Sequence, residues 1–322
     1  MRGATTKGPD LLHLVTATNR AYLPWCATTI LSSVRSTPSE EVTFHVLVDD
    51  DVTSQDGERL RSTLESTGGE LRLIPIPRRR LGALPPAVEA HGGAISCARF
   101  VLPELLADVE RVVYLDSDVL VTGSLAPLPQ LVGEDELAAV RNVVEPAMQP
   151  RLRTLGLTDP MRYLNSGVLV MNLAVMRRLD TAERLLNYVK TGSDRLLWVD
   201  QDALNVVLEG AWRELHPRWN VQNSLWFWRE RSRRVFSDDE IAEALRDPAV
   251  LHFEGPSLAK PWHYLCSHPY VSRYRDVLGD TPWPVAAPVG RTPLNVLLKP
   301  LSRSRQIKIL TSVARLRAGL RG

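Results

Sequence analysis

Apolar runs and amphipathic stretches alternate along the first ~210 positions of this 322-residue chain. "LLHLVTA" (11–17), "VTFHVLV" (42–48) and "ELRLIPI" (70–76) are short apolar runs that predict strands. Between them, "YLPWCATTILSSVRS" (22–36) predicts a helix with Pro24 tolerated in its first turn, and "SQDGERLRSTLESTG" (54–68) an exposed helix closing on Gly68. Further on, "RVVYL" (111–115), "ELAAV" (136–140) and "SGVLVMNL" (166–173) predict strands. "AISCARFVLPELLA" (94–107) is helical in part, and "AVMRRLDTAERLLNYVKTG" (174–192) predicts a helix ending at a glycine cap. "PRRRLGALPPAVEAHGG" (77–93) predicts a loop. From about residue 216 the pattern turns irregular, with "RWNVQNSLWFWRERSRR" and the Pro-rich "TPWPVAAPVGRTP". Strands and helices of these lengths in alternation imply an α/β fold with a mainly parallel central sheet flanked by helices. We expect one such domain over 10–270, followed by a Pro-rich linker and tail over 271–322.

Within this pattern one short stretch carries chemistry. "RVVYLDSDVLV" places Asp116 and Asp118 directly after a buried strand. Positions i and i+2 of extended chain point to the same side, so both carboxylates can face one cation with Ser117 turned away. The D-x-D spacing also occurs at Asp49/Asp51 and Asp200/Asp202. Only the Asp116 pair stands at the carboxyl end of a buried strand, where open α/β sheets gather their ligands.

Composition narrows the setting. Three separated cysteines, Cys26, Cys97 and Cys266, lack zinc-ligand spacing and fit a reduced, cytoplasmic protein. "MRGATTKGPDLLHLVTATN" has no long apolar segment of the signal-peptide kind, and no run of 18 apolar residues suggests a membrane span. The formal charge of +2 conceals an asymmetry. Eight of the 39 basic residues follow Asp280, the last acidic one, so the other 31 face all 37 acidic residues. This acidic body, without a recognition motif, argues against nucleic acid as a partner.

Other segments hold side chains suited to the same site. "ATNRAY" (17–22) ends the first strand with short polar groups that fit either a nucleoside or a helix N-cap. Arg99 stands alone in the apolar "SCARFVLPELL" and calls for an anionic partner. "NSGVL" (165–169) opens a strand with an amide. "WVDQDALN" (198–205) opens a helix with two acids, which also complement a helix dipole. In "HFEGPSLAKPWHY" (252–264), His252 ends a short strand, Gly255 permits close backbone approach, and Lys260 offers a point charge for phosphate.

Taken in order, "TATNRAY", "ARFVLPELL", "VVYLDSDVLVTGSL", "YLNSGVLVMNL", "DQDALN" and "HFEG…KPW" resemble glycosyltransferase family 8, the family of glycogenin and of bacterial lipopolysaccharide α-galactosyl- and α-glucosyltransferases. The resemblance runs from about residue 12 to 264. It implies a nucleotide-diphospho-sugar transferase (GT-A) fold, a UDP-sugar donor, Mn²⁺ or Mg²⁺, and transfer of a hexose, glucose or galactose, with retained configuration. The acceptor would be a saccharide, a lipid-linked molecule or a small hydroxyl compound. By position it implies Asp116, Asp118 and His252 as metal ligands. Thr18, Asn19, Tyr22, Arg99, Ser117, Gly255 and Lys260 are implied around the donor, and Asn165, Asp200 and Gln201 at the donor sugar and reacting face. Neither Gln201, a poor nucleophile, nor Asp200, the one nearby carboxylate, is an obvious double-displacement group. Attack by the acceptor on the leaving group's side is the implied course. Two departures stand out. The family's H-x-x-G-x-x-K-P-W has two extra residues here between Gly255 and Lys260, and Arg20 replaces an acidic residue often found beside Asn19.

Two alternatives accompany this resemblance. The couplet nearly matches the aspartate-nucleophile motif of haloacid dehalogenase-like phosphatases, but Leu120 stands where that motif has Thr or Val. A non-catalytic sugar-nucleotide-binding protein would keep the same ligands. Trp226, Phe227 and Trp228 fit an acceptor wall or the core. The tail "LNVLLKPLSRSRQIKILTSVARLRAGLRG" mixes aliphatic and basic residues at helical spacing. That composition suits peripheral contact with an anionic membrane at its inner face, or a helix docked on its own domain.

Overall fold

The computed structural model describes residues 11–312, with 39–40, 66, 90–91, 193–194, 284–287, 304 and 311 excepted. Among the described residues ten strands form two sheets: β1 (Leu12–Thr18), β2 (Val42–Val48), β3 (Glu70–Pro75), β4 (Arg111–Leu115), β5 (Val119–Val121), β6 (Leu137–Arg141), β7 (Leu164–Asn172), β8 (Trp212–Glu214), β9 (Val221–Gln222) and β10 (Val250–His252). The larger sheet has the order β3-β2-β1-β4-β7-β6-β8, and the smaller β5-β10-β9. In the larger one β7 alone runs against its neighbours β4 and β6. The expected mainly parallel sheet is therefore present, with one reversed strand in its middle.

The apolar runs are continuous because both faces of the sheet are covered. Alternate residues then go to opposite cores, as the two-residue strand period requires. Leu12, Leu14, Phe44, Val46, Val113, Leu115, Val168 and Val170 face one core, which helix Leu23–Ser36 covers with Leu23, Cys26, Ile30 and Val34. Val15, Leu47, Val112, Tyr114, Leu169 and Met171 face the other, covered by helices Thr181–Thr191 and Val199–Val207. Helix Val271–Gly279 adds Tyr274 and Leu278 to the first core, so packing continues beyond residue 270. All three cysteines are buried free thiols.

Several boundaries differ from the sequence expectation. The helix expected over 54–68 ends at Ser62 and gives way to turns. The helix expected over 174–192 is two, Leu173–Arg178 and Thr181–Thr191, divided at Asp180 with φ 49°. Gly192 still caps the second, through its N–H to the Tyr188 carbonyl, but at φ −113°. The loop expected over 77–93 contains one-turn helices Arg78–Leu81 and Pro86–Glu89, and Arg80 is paired with Glu104 at 2.7 Å. The stretch after 216 is regular in places. Helix Asp238–Arg246 starts with a capping box between Ser237 and Glu240, a signal present in "SDDE".

His268 packs its ring against Phe253 at 4.8 Å and Trp226 at 5.3 Å between centroids, and its Nδ1 accepts the Tyr270 N–H. Burial lowers its pKa to about 3. Below the unfolded value near 6.5 the unfolded chain gains a proton that the native ring refuses. Stability therefore falls as pH drops from about 6.5 towards 3, by up to ~1.4 kcal/mol per pH unit from this residue. Denaturant unfolding at pH 7 and pH 5 should show a shallower loss in His268→Gln than in the wild type. Equal slopes would remove this residue from the account.

Candidate active site

Three backbone devices bring the acidic couplet and His252 together. β4 ends at Leu115, so Asp116 leaves the sheet at its carboxyl edge, and its N–H is held by the Gly167 carbonyl at 2.8 Å. The chain then turns into β5, which pairs antiparallel with β10 so that His252 lies opposite Val119. The Phe253 N–H donates to the Asp118 carbonyl at 3.1 Å, which fixes the histidine beside the second aspartate. Nε2 of His252 lies 3.3 Å from Asp118 Oδ1 and 4.0 Å from Asp116 Oδ2. One ligand atom from each of the three residues falls within a 4.8 Å group.

The imidazole tautomer follows by elimination along a hydrogen-bond chain. The Gly167 backbone N–H, which can only donate, is bonded to Asn165 Oδ1 at 3.0 Å. That oxygen also accepts Asn220 Nδ2 at 2.8 Å, so Asn220 presents its Oδ1 to His252 Nδ1 at 3.0 Å. Nδ1 must therefore carry a proton, which leaves Nε2 as the ring atom that faces the carboxylates and that offers its lone pair when a cation displaces its own proton. Two carboxylates facing one imidazole favour a positive charge between them, a proton on Nε2 or a cation in its place. Two carboxylate oxygens and one imidazole nitrogen are a donor set for a hard or borderline divalent cation such as Mn²⁺ or Mg²⁺. The site thus fits the metal that the sequence resemblance implied.

The remaining charges respond to the same crowding. Burial works to raise the Asp118 pKa, but Lys260 and His252 outweigh it and hold that carboxyl well below the carboxylate range. Burial raises Asp116, with Arg99 opposing. The His252 ring is disfavoured as a cation by burial, yet Asp118 and Asp116 bring its pKa above the ordinary value. Lys260 is buried also, and Asp118 keeps it charged.

Lys260 forms an ion pair with Asp118 through Nζ. The longer loop therefore does not exclude it from the site. Gly255, at φ 93°, turns the chain where a side chain would be strained. Residues Ser257–Ala259 coil into a 3₁₀ turn. Such a turn advances ~2 Å per residue against ~3.3 Å in extended chain, which absorbs much of the two-residue excess.

Arg99 is a clamp beneath the couplet. Only 5 % exposed, it donates to Asp116 Oδ1 at 3.0 Å and to the Ser166 carbonyl at 2.8 Å. It also pairs with Asp200 Oδ2 at 3.0 Å and stacks over Tyr114 at 4.1 Å. A desolvated guanidinium needs anions at hand, and these two aspartates supply them. Asp200 is correspondingly committed to Arg99. Gln201 accepts the Ser166 N–H through Oε1 at 3.0 Å, and Asn165 donates through Nδ2 to Asn142. Asp202 is structural: its carboxylate accepts the Tyr163 hydroxyl and the Leu197 and Trp198 N–H groups.

These groups surround a cavity of about 950 Å³. Asp116, Asp118, Asn165, Asp200, Gln201, His252, Gly255 and Lys260 line it, and so does Trp228. Thr18, Asn19, Tyr22, Arg99 and Ser117 do not. The Thr18 hydroxyl donates to the Asn19 carbonyl, and Asn19 caps the turn Arg20–Tyr22 by accepting the Tyr22 N–H. Tyr22 is exposed, edge-on to Trp262. The Ser117 hydroxyl is bonded to the Ala17 carbonyl at 2.8 Å, away from the carboxylates. Arg20 pairs with Asp56 at 3.1 Å.

Sequence reasoning missed Asn220, Asn142 and Gly167. The first two gave no local signal. Gly167 sits inside the quoted "NSGVL", and its reason is steric: a Cβ there would stand 2.1 Å from His252 Cε1. Gly167→Ala must displace the buried ring or the strand, and we expect a loss of ~1–3 kcal/mol in denaturant unfolding. A variant as stable as the wild type would show that the ring has room to move.

The family model described as glycosyl transferase family 8 matches residues 13–266. The chain is 26 % identical to general stress protein A of Bacillus subtilis over 280 residues, covering 85 % of this chain and 95 % of that protein. It is 25 % identical over 282 residues to a lipopolysaccharide 1,3-galactosyltransferase of Salmonella typhimurium, covering 85 % and 80 %. Among solved structures, the galactosyltransferase LgtC in complex with donor and acceptor sugar analogs superposes with a TM-score of 0.71 at 26 % identity, covering 89 % of this chain and 100 % of that one.

Proposed function

The chain belongs to glycosyltransferase family 8 and has a GT-A fold, and from that premise we propose a metal-dependent transferase that moves a hexose from a UDP-sugar to a hydroxyl acceptor with retention of configuration. The observation that carries this reading is the convergence of Asp116, Asp118 and Nε2 of His252. When bound there, a divalent cation supplies charge neutralisation for a diphosphate and its departure. Asp116, Asp118 and His252 would hold it. Lys260, already at the couplet, is placed to give a second positive charge to a phosphate oxygen.

Retention needs either a double displacement or attack on the leaving group's own side. Gln201 is an amide and a poor nucleophile, and Asp200, the one carboxylate candidate, is held by Arg99 beneath the couplet. The reading that fits is same-side attack through an oxocarbenium-like transition state, with a donor phosphate oxygen taking the acceptor's proton. The phosphatase alternative loses its support, since the couplet follows the fourth strand of a family 8 domain.

The test is UDP release from UDP-glucose and UDP-galactose by the full chain. We expect release with at least one donor, loss on EDTA treatment, recovery with Mn²⁺, and a fall of at least ~100-fold in Asp118→Asn, about 2.7 kcal/mol in barrier. Metal-independent release, or an unimpaired variant, would overturn the metal role. Tight UDP-sugar binding without turnover would favour the non-catalytic reading.

We also propose peripheral contact with an anionic membrane. Among the described residues no helix is long and apolar enough to cross one. Helix Pro293–Leu298 exposes Leu297 at 74 % and Val296 at 44 %, with exposed Arg305 and Lys308 further along. Arg315, Arg317 and Arg321, part of the same expectation, lie outside the described residues. Flotation with phosphatidylglycerol vesicles should exceed that with phosphatidylcholine and weaken severalfold in Leu297→Glu. Equal flotation in all cases would remove the membrane from the reading.

A further inference from the structure

The C-terminal segment folds back over the cavity. Helix Pro293–Leu298 is followed by a helical run at 305–310, and Arg303, Ile307 and Leu310 line the cavity wall. Buried Gln306 ties this run to the preceding helix: its Nε2 donates to the Leu298 and Leu301 carbonyls at 3.1 and 2.9 Å. Lys299 Nζ adds a bond to the Tyr264 carbonyl at 2.6 Å.

Arg303 differs from the other cations on this wall. Lys260 is on Asp118, His252 lies between two aspartates, and Arg231 donates to Glu145 at 2.7 Å. No carboxylate among the described residues lies within ion-pair distance of Arg303. Its guanidinium lies over the rings of Phe227 and Trp228, at 4.4 and 5.4 Å, and its buried Nε has no hydrogen-bond partner. Ring faces recover only part of what a guanidinium loses on leaving water. Nε is enclosed, so the terminal Nη groups are the ones a ligand can meet. They make no hydrogen bond among the described residues, and Glu254 on the same wall acts on them only through space. A ligand anion would give them a partner.

The position of Arg303 says which ligand. Thr18, Asn19 and Tyr22, the groups expected around the nucleoside, lie outside this cavity, which extends from the couplet towards Trp228 and the C-terminal segment. Resting on the transferase reading above, we propose that Arg303 is an acceptor-specificity residue that receives an anionic substituent, a carboxylate or a phosphate, of the acceptor sugar. The C-terminal segment is then part of the substrate site.

The test is calorimetric titration of the full chain, with Mn²⁺ and UDP present, using galactose, galacturonate and galactose 6-phosphate, with the glucose series in parallel. One of the anionic sugars should bind at least ~10-fold tighter than its neutral parent, and which one it is separates carboxylate from phosphate. Arg303→Met should erase that preference, with thermal unfolding reporting whether the variant is folded. No preference in the wild type, absence of sugar binding included, overturns the proposal, as does a preference that survives in folded Arg303→Met. The UDP titration is read separately: failure of the wild type to bind UDP with Mn²⁺ sinks the donor reading itself.

Discussion

Two carboxylates and the Nε2 of an imidazole are forced to face one another, and the domain is organised around the positive charge they favour. With ligand atoms within 4.8 Å, two carboxylates repel by about 3 kcal/mol at an effective dielectric of about 20. The backbone imposes this arrangement, because the β5–β10 register leaves His252 no other place than beside Asp118. Arg99 beneath and Lys260 above are the protein's own compensation. The Asn220–Asn165–Gly167 chain prevents a different one, by keeping the ring proton on the far nitrogen.

This division explains what could be read from residues alone. The strands were legible because burial on both faces makes them continuous apolar runs, and Asp116 because it ends one of them. Arg99 was legible as a charge without company in an apolar helix, although its partners were not: Asp200 comes from a helix a hundred residues away. His252 entered as a ligand through resemblance, since one histidine at the end of a three-residue strand announces nothing by itself. Asn220 and Asn142 act by orienting other groups, and orientation across 55 or 23 residues has no local pattern. Gly167 is required by the space a distant ring occupies, and the same letters would serve an ordinary strand.

Failures of period had local causes. The helix over 174–192 reads as one because Leu, Val and Met recur at helical spacing on both sides of Asp180, whose left-handed backbone breaks it without glycine or proline. The region after 216 looked irregular because its strands are two or three residues long, too short for any alternation to register. They persist because β10 is sandwiched between β5 and β9, so its backbone groups are paired on both sides.

The tail shows most clearly why pattern does not choose a surface. Aliphatic residues at helical spacing among lysines and arginines fit a lipid headgroup layer and a protein face equally well. What decides is the inventory of partners each basic residue finds. Lys299 is met by two carbonyls, Arg291 by the Tyr264 ring at 5.9 Å and Arg303 by two rings. Arg305 and Lys308 stay in solvent. One segment therefore presents two different faces: one that lines the cavity with Arg303, Ile307 and Leu310, and an exposed one edged by Val296, Leu297 and Ile309. A surface held against the second face would hold the first in place over the acceptor's end of the site. On the proposed readings, substrate selection and attachment would then share the two successive helices of one C-terminal segment.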